Sequence, residues 1–235
     1  MTITSPNHEL LKEVRKLAGR KWRDKLTRFV AEGEDLVDAA EAAGWVPVGR
    51  LVAAGSGLEG EAVAPHLMAE LSQLGSSTRA IGIFDQRYAS TLGDRCVALW
   101  GVGDPGNVGA VLRAAHAFGA TSVALGPGSA DPFGPKAVRA SMGAIFSVGV
   151  RRVRSIAELP APRVALVARE GAALADLAEA PSTLVVGAER EGLPDDVLAG
   201  CDQIAHIPIE GDSLNAAMAA TVALYETGNR IARRA

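Results

Sequence analysis

From residue 95 onward the chain alternates short apolar runs with helix-like stretches, and this rhythm restricts the fold more than any other feature. Apolar runs fall at 96–100, 121–125, 144–150, 163–168, 183–187 and 204–209. Between them, 107–119, 134–142 and 172–180 have helical spacing, and a long final helix is expected over 214–232. Runs in which apolar residues are largely consecutive, rather than at every second position, belong to strands buried on both faces. The pattern therefore predicts an α/β fold with a mostly parallel sheet covered by helices on both sides. Hydrophobic residues make up 48% of the chain but aromatics only 4%, so the core is expected to be aliphatic and alanine-rich.

Residues 1–88 read as a separate small α/β unit. A helix is expected over 8–30, where Leu10, Leu11, Val14 and Leu17 share a face. Strand, helix, turn and strand follow over 29–55, then a helix over 66–75 and a strand over 80–86. The short polar stretch 89–94 reads as a linker, leaving 95–235 as a second domain. Net charge is −3, but residues 1–30 carry eight cations (Lys12, Arg15, Lys16, Arg20, Lys21, Arg23, Lys25 and Arg28) against Glu9, Glu13 and Asp24. A basic arm on an acidic body points either to a local polyanion contact or to a solvated helix face.

Cys96 and Cys201 are far apart and lack further ligands at metal spacing, so reduced thiols and no bound metal are expected. Without a leading apolar segment or an apolar run approaching about 18 residues, the chain reads as cytoplasmic with no membrane partner. His8, His66, His116 and His206 show no partner spacing.

The stretch "WGVGDPGNVGAVLRAAHAFGA" (100–120) contains a literal G-x-G-x-x-G in Gly101, Gly103 and Gly106. A dinucleotide site would need a carboxylate at the end of the next strand. That strand ends at Leu125–Gly126, with no acid before Asp131. Pro105 also removes a backbone N–H where a phosphate would need one. The alternative is a helix start, with Asp104 or Asn107 as the cap and Pro105 in the first turn. That helix places Val108, Val111, Leu112, Ala115 and Phe118 on a core stripe, and sets Arg113 among Ala110, Ala114 and Ala117 on a second face. Arg113 there is either a snorkelling side chain or a fixed guanidinium beside a ligand.

Two later junctions share this character. "TLVVGAEREGLP" (183–194) ends a strand at Gly187 and continues into Glu189; "HIPIEGDSLNAAMAATVALYE" (206–226) ends a strand at Ile207–Ile209 and turns through Ser213 into an alanine-rich helix. Three such ends could build one site at the carboxyl edge of a parallel sheet. No nucleophile–base pair or Walker-type loop accompanies them, so the expected chemistry is transfer from a bound cofactor.

"DPGNVGAVLRAAHAFGA", "LVVGAEREGLP" and "IPIEGDSLNAAMA", with "PKAVRASMGAIF" (135–146) between the first two, resemble the motifs of the SpoU (TrmH-like) RNA ribose 2′-O-methyltransferases of the SPOUT class. "VRKLAGRKWRDKLTRFVAEGEDLV" more loosely resembles that family's RNA-recruiting domain. The resemblance implies a C-terminal trefoil knot, S-adenosylmethionine as cofactor, a homodimer, and an RNA partner. Ribosomal RNA is the first choice of substrate and transfer RNA the second; a non-catalytic RNA-binding or assembly factor is the alternative function.

Carried over by position, the resemblance assigns Gly187, Ile207, Leu214 and Ala168 to the cofactor pocket. It makes Asn107, Arg113, Glu189, Ser213 and Asn215 the polar active-site residues. The spacer "IEGD" before Ser213 is shorter than the family pattern. Arg113 is expected to pair a phosphate and stabilise an alkoxide rather than act as a base, because a guanidinium stays protonated below pH of about 12. RNA contacts are expected from Arg15, Lys16, Arg20, Lys21 and Arg23, with Lys136 and Arg139.

Overall fold

The structure, a computed structural model, describes residues 2–72, 78–177 and 180–234, the last stretch from 229 by its backbone alone. Its first part is a four-stranded sheet in the order β1-β4-β2-β3. The strands are β1 (Arg28–Glu32), β2 (Gly49–Ala53), β3 (Glu61–Val63) and β4 (Ala80–Asp85). β4 runs antiparallel to both β1 and β2, and β3 is parallel to β2. Helices α1 (Glu9–Leu17), α2 (Arg20–Leu26), α3 (Glu34–Ala42) and α4 (Pro65–Leu71) accompany it. Leu11, Val14 and Leu17 of α1 are buried against Leu51, Ile81 and Ile83 of the sheet.

The single helix expected over 8–30 is two helices and the start of a strand. The first helix stops at Ala18–Gly19, and the second ends at Thr27, whose φ of 52° is left-handed. Residues 28–30 then alternate half-buried and buried as part of β1, where pairing with β4 overrides local preference. The helix expected over 66–75 is α4; positions 73–75 lie outside the described residues.

The second part is a seven-stranded sheet in the order β7-β6-β5-β10-β8-β11-β9. Its strands are β5 (Cys96–Leu99), β6 (Ser122–Leu125), β7 (Gly149–Arg152), β8 (Arg163–Val167), β9 (Ala172–Ala173), β10 (Thr183–Val186) and β11 (Gln203–His206). All of its strand pairs are parallel. It carries helices α5 (Pro105–Ala117), α6 (Pro135–Ala140), α7 (Asp195–Ala199) and α8 (Ala216–Arg234). β5, β6 and β10 are buried at every position, as their apolar runs require.

Three expectations change here. The run 144–150 divides into a 3₁₀ turn, Ala144–Phe146, and the start of β7. The stretch 172–180 is not a helix but β9 followed by a 3₁₀ turn, Leu174–Asp176, with 178–179 outside the described residues. Ala172 and Ala173 pair with Ala205 and His206, an edge contact that local sequence does not announce. Finally, β11 stops at His206, leaving Ile207–Ile209 in a loop, as Pro208 would interrupt a ladder.

The chain's few aromatics gather where the two sheets meet. Four of the five phenylalanines and Trp45 form one cluster: Phe29 lies 4.8 Å from Phe133, and Trp45 and Phe84 lie 5.3 and 5.4 Å from Phe146. The Trp45 indole donates to the Phe146 carbonyl at 2.9 Å. The core is therefore aliphatic within the large sheet apart from the buried Trp100, as expected, but aromatic at the junction.

Arg23 completes that junction. Its Nε and one terminal nitrogen lie 2.9 and 2.8 Å from the same carboxylate oxygen of Asp131, and its other terminal nitrogen donates to the Leu17 and Ala18 carbonyls. Arg23 is 5% exposed, so the expectation that it contacts RNA is wrong. It caps the end of α1 and ties the first unit to the loop after β6. Charge counting could not separate it from its exposed neighbours on the same short helix.

Candidate active site

The strand order places a topological switch between β5 and β10. From β5 the chain runs outward through β6 to β7, then returns to build β8, β9, β10 and β11 on the other side. Ligands of open parallel sheets bind at such a point, beyond the carboxyl ends of the strands. The loops that follow β5, β8, β10 and β11 meet there.

The loop after β5 turns at Gly101, whose φ is +71°. Asp104 then caps α5, accepting from the backbone N–H of Asn107 at 3.0 Å, with Pro105 in the first turn. Asp104 rather than Asn107 is thus the cap, which leaves the Asn107 side chain free to reach across the switch point. Val108, Val111, Leu112 and Ala115 are wholly buried, as the periodicity requires, whereas Phe118, expected on the same stripe, is the residue at which the helix ends and is only half-buried, against Tyr225. Gly109 lets α5 and α6 touch: a Cβ there would lie 2.3 Å from the Ala137 carbonyl oxygen. The glycines of this stretch serve the turn and the helix packing.

The loop after β10 is a closed turn in which Ala188 and Gly192 exchange backbone hydrogen bonds of 3.2 and 3.0 Å. Gly187 has no room for a side chain, since a Cβ would lie 2.4 Å from the Gly192 carbonyl and 2.7 Å from the Leu193 nitrogen. The turn projects Glu189 toward α5, where its carboxylate accepts a hydrogen bond from Asn107 Nδ2. Asn215, just before α8, donates through Nδ2 to Asn107 Oδ1 at 3.1 Å, while its own Oδ1 accepts from the Ala217 N–H at 2.9 Å. One amide thus joins all three motifs.

Beside this chain lies a cavity of about 270 Å³. Ala168, Gly187, Ile207 and Leu214, the expected cofactor residues, all line it, together with Glu189 and Ser213. Ser213 faces the cavity but makes no hydrogen bond among the described residues. Arg113 is not among the lining residues; it stands exposed on α5 with no hydrogen bond or ion pair among the described residues. Sequence reasoning missed the apolar walls Leu166 and Val186, and also the ion pair between Arg169 and Asp212 (3.0 Å) that joins two of the loops. Both walls fall inside apolar runs whose outward ends could have been included.

Lys136, on the first turn of α6, reaches Asp104 at 2.6 Å. That bond, more than the backbone N–H groups of the helix start, holds the Asp104 carboxyl below the usual aspartate range. The other expected RNA contacts are on the surface. Arg15 donates to the Pro6 carbonyl and lies 3.6 Å from Glu70; Arg20 lies 3.6 Å from Asp24. Lys16 stands 5.0 Å above the Trp22 ring, and Lys21 and Arg139 are exposed without ionic partners among the described residues. Burial pushes the Cys201 thiol up to about 11, so it is not a nucleophile at neutral pH. No group of three or more His, Cys, Asp or Glu among the described residues could hold a metal ion, and no helix there is long and apolar enough to cross a membrane.

The chain is 33% identical to the ribosomal RNA small subunit methyltransferase G 2 of Syntrophobacter fumaroxidans over 95% of its own length, and spans 48% of that protein. It is 28% identical to the 23S rRNA (guanosine(2553)-2′-O)-methyltransferase RlmP of Bacillus subtilis, covering 95% of this chain and 97% of that one. An AdoMet-bound rRNA methyltransferase from Sinorhizobium meliloti superposes with a TM-score of 0.87 at 29% identity, covering 98% of both chains. Residues 94–225, which include every loop of the site, match the model of the SpoU rRNA Methylase family. By that match and the joined motifs, the chain belongs to the SpoU rRNA methylase family.

Proposed function

We propose that this protein is an S-adenosylmethionine-dependent ribose 2′-O-methyltransferase acting on ribosomal RNA. The observation that carries the reading is Asn107, hydrogen-bonded at once to Glu189 and Asn215 beside a cavity at the switch point. The relatives named for ribosomal RNA methylation and the AdoMet-bound neighbour support it.

The cavity fits the cofactor. Ile207, Leu214, Leu166 and Val186 offer apolar walls for an adenine ring, and the glycine at 187 lets the turn at 188–192 close tightly along the cavity. When bound, the cofactor supplies an activated methyl group on a sulfonium. The residues of this chain then have to orient a ribose hydroxyl and support the charge that grows on its oxygen, and orientation provides much of the rate. The Asn107 amide, fixed from both sides, sets the polar edge of the site. Arg113 has no partner to compete for its guanidinium, which leaves it available to a phosphate beside the target ribose and to the developing alkoxide.

In this reading, 1–88 is the RNA-recruiting domain, 89–94 the linker and 95–235 the catalytic domain. Arg15, Lys16, Arg20, Lys21, Lys136 and Arg139 provide phosphate contacts. The late insertion of β10 between β5 and β8, and of β11 between β8 and β9, supports a trefoil-knotted path for the C-terminal segment. A homodimer is supported by α8, where Met218, Val222 and Tyr225, spaced to share one face, are 61%, 42% and 54% exposed.

The test is transfer of labelled methyl from S-adenosylmethionine to total RNA, followed by mapping of alkali-resistant linkages. Label in the small or large ribosomal RNA at a 2′-O position is expected. Label confined to transfer RNA would replace the substrate, and no binding of the methyl donor would refute the activity.

A further inference from the structure

A second cavity, of about 230 Å³, lies between the two units. Val14, Ala18, Val30 and Ile81 line it from the N-terminal side, and Val138 and Arg139 from α6. It shares no lining residue with the cavity at the switch point. Its walls are aliphatic, and Lys136 and Arg139 are exposed at its edge. Glu32 also lines it, but its carboxylate accepts from the Ser72 hydroxyl. Arg139 has no ionic partner among the described residues. The cavity is joined to the first site by chemistry: Lys136 bonds Asp104, and Asp104 caps the helix that carries Asn107.

We infer that this cavity receives a splayed-out nucleotide of the RNA substrate, distinct from the one that is methylated. This rests on the reading under Proposed function. A nucleobase has two apolar faces that aliphatic walls can cover, and its flanking phosphates need cations at the mouth of the slot rather than inside it. The cavity offers both, on the α6 side that leads to Asn107. An apolar peptide side chain would satisfy the walls but leave the unpaired Arg139 unused.

The experiment measures binding and methylation of an RNA that the wild-type protein modifies, over a range of salt concentrations, with the full chain. Ala18, exposed at the cavity wall, is replaced in Ala18→Leu to fill the slot without changing charge; Arg139→Gln removes the cation. Ala18→Leu is expected to weaken RNA binding about tenfold, raising KM with kcat, methyl-donor affinity and salt slope unchanged. Arg139→Gln is expected to lower the salt slope by about one. Photo-crosslinking of 4-thiouridine-substituted RNA to the wild-type protein gives a reading that does not depend on a variant folding, and should mark peptides containing 14–18 or 135–139. Wild-type RNA affinity in a folded Ala18→Leu protein, crosslinks confined to other segments, or a change of oligomeric state in place of RNA affinity would each overturn the inference. Failure of the proposed function itself would appear in the wild-type protein, as absent methyl transfer.

Discussion

Asn215 donates its side-chain amide to the oxygen of Asn107, 108 residues earlier in the chain, at 3.1 Å. Because Asn107 in turn donates to Glu189, the side chain that decides the geometry of the site has both of its polar atoms committed. Glu189 and Asn215 sit on loops that no local interaction would bring together.

Replacing Asn107 by Ala removes both bonds but leaves the Asp104 cap, which uses the backbone N–H. Stability should fall by only about 1–2 kcal/mol. Methyl transfer should fall at least about tenfold, because Glu189 and Asn215 are no longer joined to each other through α5. Single-turnover kinetics beside a thermal melt separates the two effects; an active Asn107→Ala protein would remove Asn107 from the machinery.

Arg113→Lys keeps the charge and loses the planar fork. Turnover should drop about a hundredfold with methyl-donor affinity unchanged, since Arg113 is not part of the cavity wall. Turnover close to wild type would mean that a point charge is sufficient and that the clamp is misassigned.

Gly187→Ala introduces a Cβ 2.4 Å from the Gly192 backbone, in a turn closed by its own hydrogen bonds. The turn must open, at a cost of about 1–3 kcal/mol. Calorimetric titration with the methyl donor should show affinity reduced by more than tenfold. Unchanged affinity would place the donor away from this turn.

Arg23→Leu takes away the main partner of the buried Asp131, leaving it the Phe133 N–H at 3.0 Å and the Arg152 guanidinium at 3.8 Å. A loss of about 3–5 kcal/mol is expected, visible as a lowered denaturation midpoint. Asp131→Asn in the same chain should recover part of it. If Arg23→Leu weakened RNA binding with no loss of stability, the residue would be a contact after all.

The Asp104 carboxyl is held below the usual aspartate range first by Lys136. A depressed folded value means that the stabilisation is present above the unfolded value of about 3.9 and disappears as pH falls through the lower, folded one. Lys136→Met should therefore move the acid titration of Asp104 upward, toward the ordinary aspartate range. Carboxyl carbon shifts followed by NMR would report it, and an identical titration in the two proteins would show that the lysine does not set this pKa.

Much of the architecture follows from the sequence alone. Cys96–Leu99 is apolar at every position and Thr183–Val186 at all but its first, so each had to be a strand with both faces covered, and the parallel sheet follows. The stripe Val108, Val111, Leu112 and Ala115 likewise fixed which face of α5 is inside. The loop residues of the site were legible through their motifs, since glycine, asparagine and glutamate recur at successive strand ends. Tertiary structure decided what those patterns leave open. Whether Arg23 meets solvent or Asp131, and whether Asn107 caps its own helix or bridges two distant loops, depends on which segments arrive beside them. The same is true of Ala172–Ala173, helical by composition and extended because β11 supplies an edge to pair with. Local periodicity encodes the face each residue turns to the core; the partner it meets there is set by strand order, and strand order is a long-range property of the whole chain.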